Sequence, residues 1–476
     1  MEIEFFGAAG EVTGSCHILR VGGQTLLLDC GLIQGGRDAS RRNSAPFPFR
    51  VEDIDAVVLS HAHVDHCGRL PLLVRRGYRG PIYTNAACRD LLPLLLRDTA
   101  HLAAREAERR ARRRQDGESV AEGPLDEPLF SDEDVEQTLG LVRAMRYDTH
   151  YAPLPGISLQ VRDAGHILGS SSIDLECTEN GVVRRIVFSG DLGQYDSPIL
   201  PDAYRFEAAD LVLMESTYGD RLHRSRESTL TEIGEIIRAA DHDGGNILVP
   251  AFAVGRSQEI LYLLGEHFAE WGLQHWQIFL DSPMAIEASK VYWAHADRYD
   301  EDARRLRASF EAMPALPNLN LSRTSLQSRE INSLRSHAFI IAGSGMCNGG
   351  RILHHFLHNL ERPECHVMIT GFQAPGTLGR ALVDGEPEVH IHGRRIRPVA
   401  KVHTVGGLSA HGDQDDLLRW YGSFADSPPV CLVHGEWQAA HVMKQKLELA
   451  GTKVFLPEPG SKLDLVSMTL HREREA

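Results

Sequence analysis

Ser60-His61-Ala62-His63-Val64-Asp65-His66 places three imidazoles and a carboxylate within six residues, a density that side-chain packing does not explain. The apolar run Ala56-Val57-Val58-Leu59 just ahead of it reads as a buried strand, so the histidines fall where a strand ends and a loop or helix begins. In extended chain His61 and His63, two residues apart, point to the same side. Asp65 and His66 follow as the chain turns and are placed to serve a second ion. The spacing suits two metals better than one.

Four further segments carry ligand-type residues at strand ends. Asp29 closes Leu26-Leu27-Leu28, His166 lies between Gly165 and Gly169, Asp191 follows Val187-Phe188-Ser189-Gly190, and His434 follows Val430-Cys431-Leu432-Val433. A single Asp after a strand is more often a turn former or helix cap than a ligand. Taken together with the histidine run, the four point to one metal-binding constellation.

Composition sets wider bounds. The chain has 476 residues, more than one ordinary core accommodates, so two domains or one domain with a large insertion are expected. Apolar and charged contents of 42% and 24% are ordinary globular values. No stretch approaches about 20 apolar residues, and Met1-Glu2-Ile3-Glu4-Phe5-Phe6 lacks the basic start and apolar core of a signal peptide, so a cytoplasmic protein without membrane contact is expected. The eight cysteines are scattered without a C-x-x-C pair, which signals neither a disulfide framework nor a thiolate zinc site. A net charge of -15 argues against coating nucleic acid with the whole surface. It leaves a local polyanion site open, because two divalent ions return about four positive charges to one place.

Short apolar runs separated by glycine turns open the chain: residues 3–6, 16–21 and 25–30 read as strands. From about Asp90 to Leu141 the sequence is helical and highly charged. Its arginine-rich segment 105–114, with Arg109, Arg110, Arg112, Arg113 and Arg114, reads as a solvated helix end running into a loop from Gln115 to Pro128. Whether that segment touches nucleic acid stays open. Ser131-Asp132-Glu133-Asp134 has the form of a helix start capped by Ser131. Strands return at 157–163, 172–177 and 183–189. After about Ala209 strands alternate with helices: 211–214, 246–249, 277–280, 339–342 and 367–369 are the strands. That alternation predicts a parallel α/β sheet distinct from the first part.

The order of the histidine run, His166 and Asp191 resembles the metallo-β-lactamase fold family. Gly7-Ala8-Ala9-Gly10-Glu11-Val12-Thr13-Gly14-Ser15, Met214-Glu215-Ser216-Thr217-Tyr218-Gly219, Leu408-Ser409-Ala410-His411 and Leu432-Val433-His434-Gly435-Glu436 resemble, more narrowly, its β-CASP ribonucleases. The resemblance runs from Phe6 to about Gly460, and the short type without an N-terminal RNA-binding extension is expected. It implies an α/β fold: a four-layer αββα core, residues 1–208 and 396–476, interrupted at 209–395 by an inserted parallel-sheet α/β domain.

Carried over residue by residue, the resemblance implies that His61, His63 and His166 hold one zinc and that Asp65, His66 and His434 hold a second, with Asp191 bridging. Manganese is the alternative metal. Asp29 would orient a ligand histidine. Asp65, Glu215 and His411 would be catalytic, with His411 as the acid and Glu215 holding and charging it. Ser409 would bond the scissile phosphate. Histidine at 434 favours RNA over DNA within the group. The implied activity is hydrolysis of single-stranded RNA by a two-metal hydroxide, endonucleolytic with 5′–3′ trimming as a further mode.

Arg256, Arg351 and Arg380 sit in or beside glycine-rich loops, Gly343-Ser344-Gly345-Met346 and Gly371 to Arg380 among them. They either contact phosphates or cap helices. Phe252, Phe372 and Tyr218 are candidates for base stacking. The rival activity is hydrolysis of a small thioester, lactone or lactam by the same two-metal chemistry. A homodimer is left open, and no motif for a protein partner is recognisable.

Overall fold

The computed structural model describes residues 1–35, 38–115, 127–308, 316–374 and 376–472. The chain divides into two compact units, one made of Met1–Tyr195, Asp202–Leu222 and His411–Ala476, the other of Asp196–Pro201 and His223–Ala410.

Two sheets form the heart of the first unit. The eight-stranded sheet runs Thr469–His471, Lys462–Asp464, Glu2–Gly7, Cys16–Val21, Gln24–Leu28, Ala56–Val58, Ile82–Asn85, Val142–Met145. Its early strands pair antiparallel and its last four parallel. The seven-stranded sheet runs Val454–Phe455, Val430–Val433, Leu211–Glu215, Val182–Phe188, Ser171–Glu179, Ile157–Asp163, Tyr151–Leu154. Alternate residues of both sheets meet in one apolar layer: Ile3, Phe5, Leu26, Leu28 and Val58 from one, Leu159, Ile173, Phe188, Leu211 and Leu213 from the other. Each such side chain contributes roughly 1.5–3 kcal/mol on leaving water. The intervening residues Val187, Val212, Met214 and Leu432 face the opposite way, onto Leu417 and Trp420 of helix Gln414–Tyr421 and Met443 and Leu447 of helix Trp437–Leu449. Helix Ala86–Gln115 packs on strands Ile82–Asn85 and Val142–Met145, completing a four-layer αββα core. Helix Asp132–Leu141 starts as expected, with Ser131 and Asp134 exchanging hydrogen bonds in a capping box.

The second unit carries a six-stranded, wholly parallel sheet: Leu319–Leu321, Gln277–Leu280, Ala338–Ala342, Ile247–Pro250, His366–Ile369, Lys401–Thr404. Every residue of Ile247–Pro250, Ala338–Ala342 and His366–Ile369 is buried, as befits central strands covered on both faces.

Two strands lie in sheets other than the expected ones. Leu211–Glu215, expected to open the inserted sheet, pairs in parallel with Val182–Phe188 and Val430–Val433 of the first unit. Lys401–Thr404, expected with the C-terminal part of the core, pairs with His366–Ile369 of the second unit. The second compact unit accordingly starts its long segment at His223 and ends at Ala410, where the sequence reading put 209 and 395. The fully buried Leu211–Glu215 reads the same in either sheet, and the mostly polar, part-exposed edge strand Lys401–Thr404 carries no apolar pattern that names a neighbour. Of the loop expected between Gln115 and Pro128, residues 116–126 lie outside the described residues, as does Pro375 in the loop from Gly371 to Arg380. Among the described residues no helix is long and apolar enough to cross a membrane.

Candidate metal centre

The histidine run leaves strand Ala56–Val58 and turns into the single-turn helix Val64–Cys67, capped by His63. Backbone hydrogen bonds pin that turn to its neighbours: Ser15 N donates to Asp65 O, Cys30 N to His66 O and Leu32 N to Val64 O, each at 2.8 Å. Only glycine fits at position 31, because a Cβ there would lie 1.6 Å from the Asp65 carbonyl oxygen. Likewise a Cβ at Gly193 would lie 2.0 Å from Gly165 O, and this close approach brings the loops of His166 and Asp191 together. Asp29 and His434 adopt left-handed backbone, φ 59° and 46°, which aspartate and histidine take more readily than most residues.

All seven candidate ligands converge, in two groups. His63 Nδ1 is 3.1 Å from both His61 Nε2 and His166 Nε2, and Asp191 Oδ2 is 3.4 Å from His61 Nε2 and 3.6 Å from His166 Nε2. In the second group His66 Nε2 is 3.1 Å from His434 Nε2, Asp65 Oδ2 is 3.5 Å from His434 Nε2, and Asp191 Oδ1 is 3.3 Å from His66 Nε2. A tetrahedron with bonds of 2.0–2.1 Å has edges of about 3.3–3.4 Å, so these donor separations match a zinc-sized ion in each group. Asp191 supports the same fit: it is buried, and neither of its oxygens accepts a hydrogen bond from any described residue. Such acceptors are costly unless a cation completes them.

Neighbouring groups fix the imidazoles with a lone pair turned inward. Asp29 Oδ2 accepts from His66 Nδ1 at 2.7 Å, leaving Nε2 for the centre. Ser60 Oγ donates to Asp29 Oδ2 at 3.0 Å and so accepts from His61 Nδ1 at 3.1 Å, again freeing Nε2. Thr217 Oγ1 donates to His434 O at 3.0 Å and accepts from His434 Nδ1 at 3.1 Å. Ser15 Oγ adds a bond to Asp29 Oδ2, and Ser60 N one to Asp29 Oδ1. Asp29, expected to orient a ligand histidine, bonds the candidate ligand His66. The parts played by Ser60, Ser15 and Thr217 were missed. Ser60 adjoins the histidine run and the other two lie in motifs already singled out, but a serine or threonine hydroxyl gives no signal of its partner in the sequence.

Burial pushes His63 down to about 4 and His61 well below the usual imidazole range, which keeps both in the neutral, ligating form. Burial acts the same way on His66 but is outweighed by the Asp191 and Asp29 carboxylates, which hold it well above that range. Asp191 and Asp65 are held below the usual carboxylate range despite burial, by the imidazoles around Asp191 and chiefly by the His434 bond at Asp65. Both carboxylates are therefore ionised, and His66 carries a proton at Nε2 that a bound cation would displace.

Glu215 ends strand Leu211–Glu215, fully buried, and Leu192 N donates to its Oε1 at 2.6 Å. His411 Nδ1 sits 3.2 Å from both Glu215 oxygens, while its Nε2 is turned to the centre, 3.9 Å from Asp191 Oδ2. Burial lowers the His411 imidazole, but Glu215 and then Asp191 raise it to about 9. Tyr218 stands edge-on to His411 at 6.1 Å.

The remaining candidates belong to the second unit. Ser409 lies in its last stretch. Arg351 donates to buried Asp281 at 2.6 Å and to the carbonyls of Ser322 and Arg323, a bracing role within its unit. Arg256 is buried and pairs with Glu259, and Arg380 pairs with Asp384 at 2.8 Å on its own helix.

Comparison with known proteins bears on this geometry. The family model of the metallo-beta-lactamase superfamily matches residues 9–250, that of the Beta-Casp domain residues 257–382, and that of the Zn-dependent metallo-hydrolase RNA specificity domain residues 395–457. The chain is 40% identical to Ribonuclease TTHA0252 of Thermus thermophilus over 97% of its own length and 99% of that protein's. It is 29% identical to Transcription termination factor FttA of Methanocaldococcus jannaschii over 92% of its length and 67% of the relative's. A solved protein of unknown function from Enterococcus faecalis V583 shares the fold, with TM-score 0.54 at 13% identity over 97% of this chain and 99% of that one. The chain belongs to the β-CASP family of the metallo-β-lactamase superfamily and is a metal-dependent hydrolase.

Proposed function

We propose that the chain is a ribonuclease that cleaves phosphodiester bonds of single-stranded RNA internally, with two zinc ions per chain. The observation that carries this reading is the pairing of two candidate ligand groups, Asp191 lying 3.4 Å from His61 in one and 3.3 Å from His66 in the other, with the His411 imidazole turned toward them. The 40% identity to a ribonuclease along almost the whole of both chains supports RNA as the substrate. His61, His63 and His166 would hold one ion, Asp65, His66 and His434 the other, and Asp191 both. Bound there, the ions supply a hydroxide at neutral pH and Lewis acidity toward a phosphoryl oxygen.

The chain's own residues do the rest. Raised by Glu215, the His411 imidazole holds an acidic hydrogen at Nε2 for the departing sugar oxygen, while Nδ1 stays on Glu215. The 2.6 Å bond from Leu192 N fixes that carboxylate, so the imidazole keeps one orientation through the reaction. A small acyl substrate needs no such separate acid to release an alkoxide of a sugar. In this reading Asp65 and Asp191 act through the ions they hold, and Asp29 and Ser60 set the histidines that hold them.

The test is incubation of the zinc-loaded protein with end-labelled single-stranded RNA and DNA of one sequence, with His63→Ala as control. Internal RNA fragments made only by the wild type are expected. A ladder growing from the 5′ end would replace the endonucleolytic mode by the exonucleolytic one. Cleavage of neither polymer, with hydrolysis of a small thioester or lactone, would overturn the reading.

A further inference from the structure

We infer that Phe252 and Phe372 form a stacking platform for the bases of a single-stranded nucleic acid, on the second unit and separate from the metal-binding residues. The inference rests on the proposed action on RNA and adds which surface of that unit grips the bases. Among the described residues large side chains are mostly buried, yet these two rings are 47% and 52% exposed.

Their positions follow from the sheet. Strands Ile247–Pro250 and His366–Ile369 are parallel neighbours in register Ile247 with His366 and Leu248 with Val367. Phe252 leaves the first strand two residues past its end and Phe372 leaves the second three residues past its end. Phe252 and Phe372 thus lie on the loops that follow two neighbouring parallel strands, whose paired segments run about 4.8 Å apart. This is the C-terminal edge of a parallel sheet, the edge at which such sheets take their ligands.

The rings are mounted on a rigid base. Three carbons of the Phe252 ring would lie 2.8, 2.8 and 3.1 Å from a Cβ built on Gly345, so the ring rests flat on that glycine and no side chain fits beneath it. Ser257 fixes the same loop, donating from Oγ to Phe252 O at 2.7 Å. Gln373, next to Phe372 and itself buried, donates from Nε2 to Gly345 O at 2.9 Å and to Gly371 O at 3.2 Å. One glutamine thus ties the loop of one ring to the glycine under the other. Exposed aromatic rings held this stiffly lose little freedom on binding, and each presents a π-face that any base can cover.

Charge points to bases rather than phosphates as the partner of this edge. Arg256 and Arg380, the cations nearest in sequence to the two rings, are paired with Glu259 and Asp384. Affinity here should therefore depend on the presence of bases and little on salt, unlike a phosphate track.

The experiment uses the full-length, zinc-loaded chain carrying His411→Ala so that RNA stays intact. Fluorescence anisotropy would measure binding of a short oligoadenylate and of an abasic oligomer with the same number of phosphates, across a salt series. We expect the parent to prefer the base-bearing oligomer, and Phe252→Ala and Phe372→Ala each to lose roughly tenfold of that preference. The salt slope should stay as it was, and Phe252→Trp and Phe372→Trp should restore the preference where Phe252→Leu and Phe372→Leu do not. Equal binding of both oligomers by the parent would overturn the platform while leaving RNA as substrate. An alanine variant that keeps the full preference would do the same. No binding of any RNA by the parent would overturn both readings. Loss of a dimer in the variants, with RNA affinity unchanged, would assign the rings to a protein contact instead.

Discussion

The histidines and carboxylates of the first unit and the arginines of the second were both singled out as functional, and the structure treats them differently. The ligand candidates of the first unit are buried or half-buried and converge, and His61, His66 and His434 are each set by a neighbour that holds Nδ1. Asp191 even keeps two buried oxygens with no hydrogen bond from any described residue. Arg256, Arg351 and Arg380 each have an acidic partner inside their own unit. Unmet demand in a buried carboxylate points to a ligand, whereas a satisfied guanidinium points to the architecture around it. Function is therefore better sought in what the fold leaves uncompensated than in residue type.

The largest effect that would break this contrast lies at Asp191. Asp191→Ala removes the one side chain shared by both ligand groups. It is expected to lower RNA cleavage by at least about a thousandfold and to leave fewer than two zinc ions per chain in an elemental analysis. A fully active, fully loaded variant would mean that the orphaned oxygens carry no ion.

His411→Ala should keep its metal and lose about a hundredfold to ten-thousandfold in single-turnover rate. Its partner gives a signed pH test. Glu215 raises the His411 imidazole, so Glu215→Gln lowers the pH at which the acid loses its proton. The alkaline limb of the rate profile should then move to lower pH by about 1 unit or more. A limb that stays in place would detach His411 from proton donation.

Smaller still is Asp29→Ala, where zinc affinity measured against a competing chelator should fall about 10- to 100-fold. The second unit supplies the contrast. Arg351→Ala removes one of three partners of buried Asp281, leaving His355 and Ser328, and should cost roughly 1–3 kcal/mol in urea unfolding. Arg380→Ala, whose pair is exposed, should leave the urea unfolding midpoint where it was. If Arg380 also meets a phosphate, the salt slope of RNA binding falls by about 0.7. An unchanged slope confines it to its helix.

Much of this was legible in the chain. Strands at 16–21, 157–163 and 277–280 announce themselves by apolar runs between turns, and the observed strands Cys16–Val21, Ile157–Asp163 and Gln277–Leu280 coincide with them. The seven ligand candidates stand out only in combination, because the histidine run and the isolated residues at strand ends together exceed what turns and caps require. Partnership was not legible. Leu211–Glu215 carries no mark saying that its neighbours are Val182–Phe188 and a strand more than two hundred residues later, Val430–Val433. Nor does a hydroxyl declare its bond, so Ser60, which aims His61 through Asp29, looked like an ordinary residue before a motif. Pattern reads burial; pairing across a sheet and hydrogen bonding across a loop are settled by distances that only the folded chain has.

The same late strand sets the order in which a growing chain becomes competent. By Leu222 a nascent polypeptide has six of the seven ligand candidates and Glu215, but neither His411 nor His434. The long segment of the second unit, His223–Ala410, must be made first, which at about 5–20 residues per second takes on the order of ten seconds or more. Until Val430–Val433 has left the ribosome and slotted beside Leu211–Glu215, the second ligand group has no third member. A hydrolase born beside the message that encodes it is thus kept from completing its centre until the whole of the second unit has been translated.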